Sequence, residues 1–362
     1  MAAVLRSRIR FSRRVRTGLL LVVALGLGIA GCGTSAQAPK AGASAGSTGS
    51  TGSAASGGSA GAAGSTGSAP ATGAAGALPG AGRPQIMLGD KNFTEQFVLG
   101  ELYRLALQAQ GFSVVINRNI GPTAVTIQAL QSGRIDVYPE YLGTWNTKVV
   151  GDQRTFQAQS GAYRTAQRYA LAHGLQLLAP TPFSDTDAIA VTPAYAAANG
   201  VHAIGDLQRL ARALTLGGPP QFAQLPAGLP ALEHAYGFTP AAFKALDIGA
   251  QYPALDDGTV QAADVNTTDG QLIIPDYELL SDPRHVFGWG NVVPVVPTKV
   301  LAAEGPALAA TINKVDSLLS TSVMRALNAA VDLSHQDPAL VAKQFLLTHG
   351  VIAVGNGSSA GP

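Results

Sequence analysis

Between residues 85 and 141 the apolar positions shift repeatedly between a period of two and one of about 3.6, and each shift marks a new element. "QIMLGDK" has the form of a short strand. "TEQFVLGELYRLALQAQ" then sets Val98, Leu102, Leu105 and Ala109 on one helical stripe, which Gly111 closes. Asn92, three residues before Glu95, predicts a capping box at the start of that helix. "FSVVI" predicts a second strand. Gly121 and Pro122 precede a helix over "TAVTIQALQS", ended by Gly133. In "GRIDVYPEY" Ile135 and Val137 point one way and Asp136 and Tyr138 the other, and Pro139 is expected to stop the ladder. Strand and helix in alternation predict a mainly parallel sheet, and ligands of such sheets gather beyond the carboxyl ends of the strands.

The plan recurs later in the chain. "ALQSGRIDVYPEY" and "ALDDGTVQAADVNTTD" both run from a helix end through a glycine cap and a strand into polar residues. A second α/β lobe is therefore expected over residues 191–285, with "TLGGPPQF" as strand and loop and "LPALEHAYGF" as helix. "SDTDAIAVT" and "GNVVPVVPTKVL" read as the strands that cross from the first lobe, 85–190, and back to it, 286–354. The last helices are "GPALAATINKVDSLL" and "DPALVAKQFLLTHG", with Asp337 as N-cap and Pro338 in the first turn. Residues 355–362 read as a disordered tail. The expected architecture is α/β and two-lobed, with a ligand cleft that closes about two hinge crossings.

Composition changes the picture mainly at the amino terminus. Only 13% of the 362 residues are charged, yet no run after residue 30 is long and apolar enough to span a bilayer. Arg6, Arg8, Arg10, Arg13, Arg14 and Arg16 form a basic n-region, and "GLLLVVALGLGIA" an apolar h-region too short for a membrane span. Ile29-Ala30-Gly31-Cys32 follows with the form of a lipobox, so residues 1–31 are expected to be a lipoprotein signal peptide and Cys32 the lipidated residue. Cys32 is also the single cysteine, which excludes disulfides within one chain. Without the six arginines, 18 basic residues face 22 acidic ones, a balance near −4 that argues against a nucleic-acid partner. Gly26 to Gly31 match a dinucleotide fingerprint, but inside the export signal and without a strand–helix unit the match is spurious. Residues 32–84, almost wholly Gly, Ala, Ser, Thr and Pro, predict a flexible tether with a reach of roughly 40 Å.

Polar chemistry collects at the predicted strand ends. The first strand delivers Lys91 and Phe93, the second precedes Thr123, and the third delivers Tyr138, Glu140, Tyr141 and Thr144, with Trp145 beside them. The second lobe contributes Asp264, Asn266, Thr267, Thr268 and Asp269. Only 6% of the chain is aromatic, so three aromatic residues at one strand end suggest a ligand rim, although Tyr138 and Trp145 are equally consistent with rim packing. The six histidines are scattered, without a His-x-x-x-His or His-Glu-x-x-His spacing, and there is no Gly-x-Ser-x-Gly elbow or Walker loop. No catalytic residue, metal or cofactor is expected.

"KNFTEQFVLGELY", "GPTAVTIQAL", "GRIDVYPEYLGT", "LPALEHAYGF" and "ADVNTTDGQL", in that order, resemble the substrate-binding lipoproteins of osmoprotectant ABC importers, the binders of choline and glycine betaine. The resemblance spans residues 86–350. It implies a type II periplasmic-binding-protein fold, a closing cleft, no catalysis, and ABC permease and ATPase subunits as partners. By this resemblance Gln96, Thr123, Tyr141 and Thr144 are ligand residues of the first lobe, with Lys91, Phe93 and Tyr138 beside them. Relatives often carry Asn-Thr-Tyr where this chain has Asp185-Thr186-Asp187, and an aromatic residue where it has Asn266. Asp185, Asp187, Asn266, Thr268 and Asp269 are then the remaining candidates, and two cage faces become a carboxylate and an amide. That leaves open a betaine or choline, another cationic or polar solute such as an amine, amino acid or polyamine, or an envelope lipoprotein used for sensing. A monomer held at the outer face of the cytoplasmic membrane by its lipid is expected.

Overall fold

A computed structural model describes residues 77–353. The signal peptide, Cys32, the tether as far as residue 76 and the tail from residue 354 lie outside the described residues. The chain is already docked before Gln85. Residues 79–82 turn back on the globule, where the Gly80 amide donates to the Gln110 carbonyl at 2.9 Å.

The first lobe begins with β1 (Ile86–Gly89), α1 (Thr94–Ala109), β2 (Val114–Asn117), α2 (Thr123–Gln131) and β3 (Tyr138–Tyr141). β1 and β2 are parallel, with Ile86 opposite Val114, and a single bridge from Leu88 to Val137 extends this pairing toward β3. A short turn, α3 (Leu142–Thr144), runs into a π-helical turn, and α4 (Gln159–Ala172) and β4 (Leu175–Leu177) follow. α1 buries Val98, Leu99, Leu102, Tyr103, Ala106 and Leu107. Leu105 and Ala109 of the expected stripe are only half-buried, since the buried face runs through Leu99, Tyr103 and Ala106 instead. Each such aliphatic burial stabilises by about 1.5–3 kcal/mol. The expected capping box does not form. Phe93 is the N-cap, no side chain caps the helix, and Glu95 turns inward instead.

The chain crosses into the second lobe through β5 (Asp187–Val191), followed by α5 (Pro193–Asn199), β6 (Thr215–Gly218), α6 (Leu229–Tyr236), β7 (Ala242–Ala245), α7 (Gln251–Asp256), β8 (Ala262–Asn266) and β9 (Glu278–Leu279). These strands form one sheet in the order β7-β6-β8-β5-β9. It returns through β10 (Val292–Pro297), α8 (Thr298–Glu304), α9 (Pro306–Asp316), α10 (Thr321–Asp332) and α11 (Pro338–Thr348). Asp337 caps α11 as expected, accepting the amides of Ala339 and Leu340.

Of the three sheets, β1-β2 is parallel, β3-β10-β4 is antiparallel, and the five-stranded sheet is parallel at β7-β6-β8 and antiparallel where β5 joins, so the sheets are mixed rather than mainly parallel. β5 runs antiparallel to β8, pairing Asp187 with Asn266, and β10 runs antiparallel to both β3 and β4. Pro139 does not stop the ladder. It faces Pro294 across the β3–β10 pair, and since neither proline has an N–H, the non-hydrogen-bonded position they share loses no ladder bond.

The crossings lie side by side. The Asp185 amide donates to the Gly290 carbonyl at 3.0 Å and the Gly290 amide to Ser184 Oγ at 2.9 Å. A Cβ on Gly290 would stand 1.6 Å from the Asp185 oxygen, so only glycine permits this approach. Thr267, just beyond β8, ties the second lobe to the same place. Its hydroxyl donates to the Ser184 carbonyl at 2.7 Å and accepts the Thr186 amide at 3.0 Å. Among the described residues no helix is long and apolar enough to cross a membrane.

Candidate functional site

A cavity of about 1200 Å³ opens beyond β1, β3 and β8, with the two crossings as its floor. Nine of the expected site residues line it. Lys91, Phe93, Tyr141 and Thr144 come from the first lobe, Asp185 and Asp187 from the first crossing, and Asn266, Thr268 and Asp269 from the second lobe.

Gln96, Thr123 and Tyr138 do not line it; they stand behind Lys91. The Lys91 ammonium is ion-paired with Glu140 and bonded to Thr123 Oγ1 at 2.9 Å. Thr123 and Tyr138 each donate a hydroxyl to Glu140, at 3.1 and 3.3 Å, and Gln96 accepts the Lys91 amide at 3.3 Å. Tyr138 is fully buried and packs in the same core cluster as Trp145. The aromatic crowd at the strand end therefore divides: Tyr138 and Trp145 pack inward, and Tyr141 faces the cavity.

Tyr141 is the centre of an aromatic patch. Phe93 stacks on it at 6.0 Å between centroids, and the Lys91 ammonium lies 5.5 Å from its ring. From the second crossing Trp289 joins the wall, fixed by its indole N–H donating to the Phe156 carbonyl at 2.8 Å and stacked on His285. Trp289 and Tyr252 were missed in the sequence, where "VFGWG" and "AQYPAL" match no strand end; the aromatic pair set among glycines in the second crossing was the available signal.

Acids dominate the electrostatics. Glu95 is buried and accepts the Tyr141 hydroxyl at 2.9 Å and the Asn328 amide at 2.9 Å. Burial raises its pKa. Burial, then the nearby Glu95, pushes Asp185 well above the ordinary carboxyl range, and Asp185 Oδ1 is buried without a partner. Asp187 is raised to about 6, by burial first and then by Asp269. Asp269 accepts the Tyr252 hydroxyl at 2.7 Å and the Asn266 amide at 3.1 Å, yet burial still raises it. Beneath them Asp264, on β8, is raised to about 9 by burial, with Asp187 and Asp269 adding to it. The two basic side chains on the wall are already committed, Lys91 to Glu140 and Arg154 to Asp152. Among the described residues, no ion pair reaches Glu95, Asp185, Asp187, Asp269 or Asp332, and no group of three or more His, Cys, Asp or Glu is placed to hold a metal. Such a wall attracts a cation and offers it both charge and aromatic faces.

The model of the family described as the substrate binding domain of ABC-type glycine betaine transport systems matches residues 84–347. The chain belongs to this family. It is similar to the glycine-betaine-binding protein of Pseudomonas aeruginosa, 31% identical over 288 residues, which cover 76% of this chain and 91% of that protein. It is also similar to the glycine betaine-binding protein YehZ of Escherichia coli K12, at 29% over 285 residues, 75% of this chain and 93% of the other. Among solved structures, a glycine betaine/carnitine/choline ABC transporter protein superposes with a TM-score of 0.68 at 24% identity, over 74% of this chain and 99% of that one. The fold is that of the type II periplasmic binding proteins, and the chain is an extracytoplasmic substrate-binding component of an ABC transporter.

Proposed function

We propose that the cleft captures a quaternary ammonium osmoprotectant and delivers it to the permease and ATPase subunits of its importer. The observation that carries this reading is the wall itself: unpaired carboxyl groups and aromatic faces converge, while both wall cations are tied to acids of their own. A quaternary ammonium donates no ordinary hydrogen bond, so it is held by ring faces, each worth about 0.5–2 kcal/mol, and by charge. A micromolar complex needs about −8 kcal/mol, so Phe93, Tyr141 and Trp289 supply part and the carboxylates led by Asp187 the rest. Glycine betaine, for which both relatives are named, carries such a head group.

At about 1200 Å³ the cavity exceeds the roughly 300–1,000 Å³ of sites that fit drug-sized ligands. A small osmoprotectant touches both lobes only when they close about the crossings. The same reading makes the protein a monomeric, non-catalytic receptor, anchored by lipid on Cys32.

One observation favours a second reading. The Asp187 side chain faces the cavity with no hydrogen bond or ion pair among the described residues, an arrangement that an N–H donor uses better than a methylated head. Calorimetry of the mature protein against glycine betaine, choline and ethanolamine separates the two. Tighter binding of a methylated cation supports the first reading, tighter binding of ethanolamine supports the second, and binding of none of them sinks both.

A further inference from the structure

Helix α10 belongs to the first lobe by packing, lying against α1 and α11, yet it also grips the second. Arg325 Nε donates to the Thr267 carbonyl at 2.8 Å. Gly270 approaches α10 so closely that a Cβ there would stand 2.7 Å from Ala329 Cα. One turn from Arg325, Asn328 is 5% exposed and stands on the cavity wall. Its Nδ2 makes two bonds of 2.9 Å, one to Glu95 Oε2 and one to the Thr268 carbonyl. A backbone carbonyl only accepts, so the amide nitrogen has to occupy this position and the orientation of the side chain follows.

The bonds continue into the aromatic patch. Glu95 uses its other oxygen, Oε1, to hold the Tyr141 hydroxyl at 2.9 Å. Three hydrogen bonds thus join Thr268, at the ligand-facing end of the second lobe, to the Tyr141 ring in the first, through Asn328 and Glu95. Glu95 accepts the Tyr141 hydroxyl and the Gln96 side chain lies beside it, so the ring's outer end is set by the Glu95 carboxylate at the end of this relay.

We propose that Asn328 is a positioning residue for solute capture: it sets the Tyr141 ring through Glu95 and ties that setting to the place of Thr268 in the second lobe. Closure then assembles the aromatic face, because a shift of Thr268 is passed to Tyr141 through fixed hydrogen bonds rather than through the solute. The proposal rests on Tyr141 serving as a cation face. It adds that the hydroxyl of Tyr141, which touches no solute on that reading, is needed for affinity.

A double-mutant cycle tests it, with glycine betaine as the probe and the mature chain as the protein. Tyr141→Phe keeps the ring face and cuts the relay at one end; Asn328→Ala cuts it at the other. Each is expected to weaken binding about tenfold, the scale of one hydrogen bond to a charged group. The double variant is expected to bind no more weakly than either single one. A side chain with a merely structural role gives additive losses, and additivity overturns the proposal, as does wild-type affinity in Tyr141→Phe. Tyr141→Ala keeps the two ideas apart, since an unaffected Tyr141→Ala protein removes the aromatic reading itself. The same cycle read on the melting temperature of the empty protein needs no solute. There too the proposal requires that Tyr141→Phe cost less stability when Asn328 is already alanine, and equal costs in both backgrounds contradict it.

Discussion

Lowering the pH from 8 to 5 protonates Asp187 on the cavity wall, and the consequence for binding has a definite sign. Asp187 titrates near pH 6 in the empty cleft, where burial and then Asp269 oppose its ionisation. A bound cation favours the ionised form, so proton and solute compete. At pH 8 Asp187 is ionised and binding is at full strength; at pH 5 about one molecule in eleven is ionised, and the affinity is expected to fall by about tenfold, or about 1.4 kcal/mol. Asp264, at about 9, stays protonated through most of this range and adds little. Asp187→Asn should flatten the profile. The stability of the empty protein moves the other way. The group's pKa is raised from 3.8 to about 6 on folding, so its contribution to stability is full below 3.8 and is lost as pH rises through 6. Asp187→Asn should therefore raise the melting temperature of the empty protein at pH 7.5 and change it little at pH 4. Calorimetric titrations from pH 5 to 8, paired with melting curves, measure both. A flat wild-type affinity, or one that strengthens in acid, would refute the competition.

Further tests address the scaffold. Gly290→Ala should splay the paired crossings, since its Cβ has no space beside the Asp185 carbonyl, and a lower melting temperature with weakened binding is expected; an unchanged protein would show that the crossings are not held as described. Glu140→Gln leaves the Lys91 ammonium buried without its partner, and chemical denaturation should show a loss of about 3–5 kcal/mol. Cys32→Ser should move the protein from the membrane fraction to the soluble one without shifting the melting temperature, and retention after a carbonate wash would count against lipidation at Cys32.

Much of this was legible in the chain because local pattern and tertiary structure agree there. The β1–α1–β2–α2 run, both crossing strands and the Asp337 cap all follow from periodicity and capping chemistry. Where they disagreed, a distant partner decided. Pro139 reads as a strand breaker until Pro294 stands opposite it, more than 150 residues away, in a pairing between β3 and β10 that needs no N–H from either. Glu95 reads as a cap until Tyr141 and Asn328 are brought to it. Strand-end logic found seven residues of the cavity wall and the family resemblance added Asp185 and Asp187, but strand ends could not separate Tyr141 from Tyr138, because the side on which a residue faces the core depends on where β10 pairs. Trp289, Tyr252 and Asn328 sit on a crossing and on helices, and no strand-end rule reaches them.

The central claim is that a cation is held between the Tyr141 face and the acids of the crossing. It is tested most directly by titrating glycine betaine and choline into wild type, Tyr141→Ala and Asp187→Asn in one calorimetric series. The account predicts binding of at least one of the two by wild type, a five- to thirtyfold loss in Tyr141→Ala from about 1–2 kcal/mol of lost π attraction, and a further distinct loss in Asp187→Asn. Equal affinities in all three proteins would contradict it.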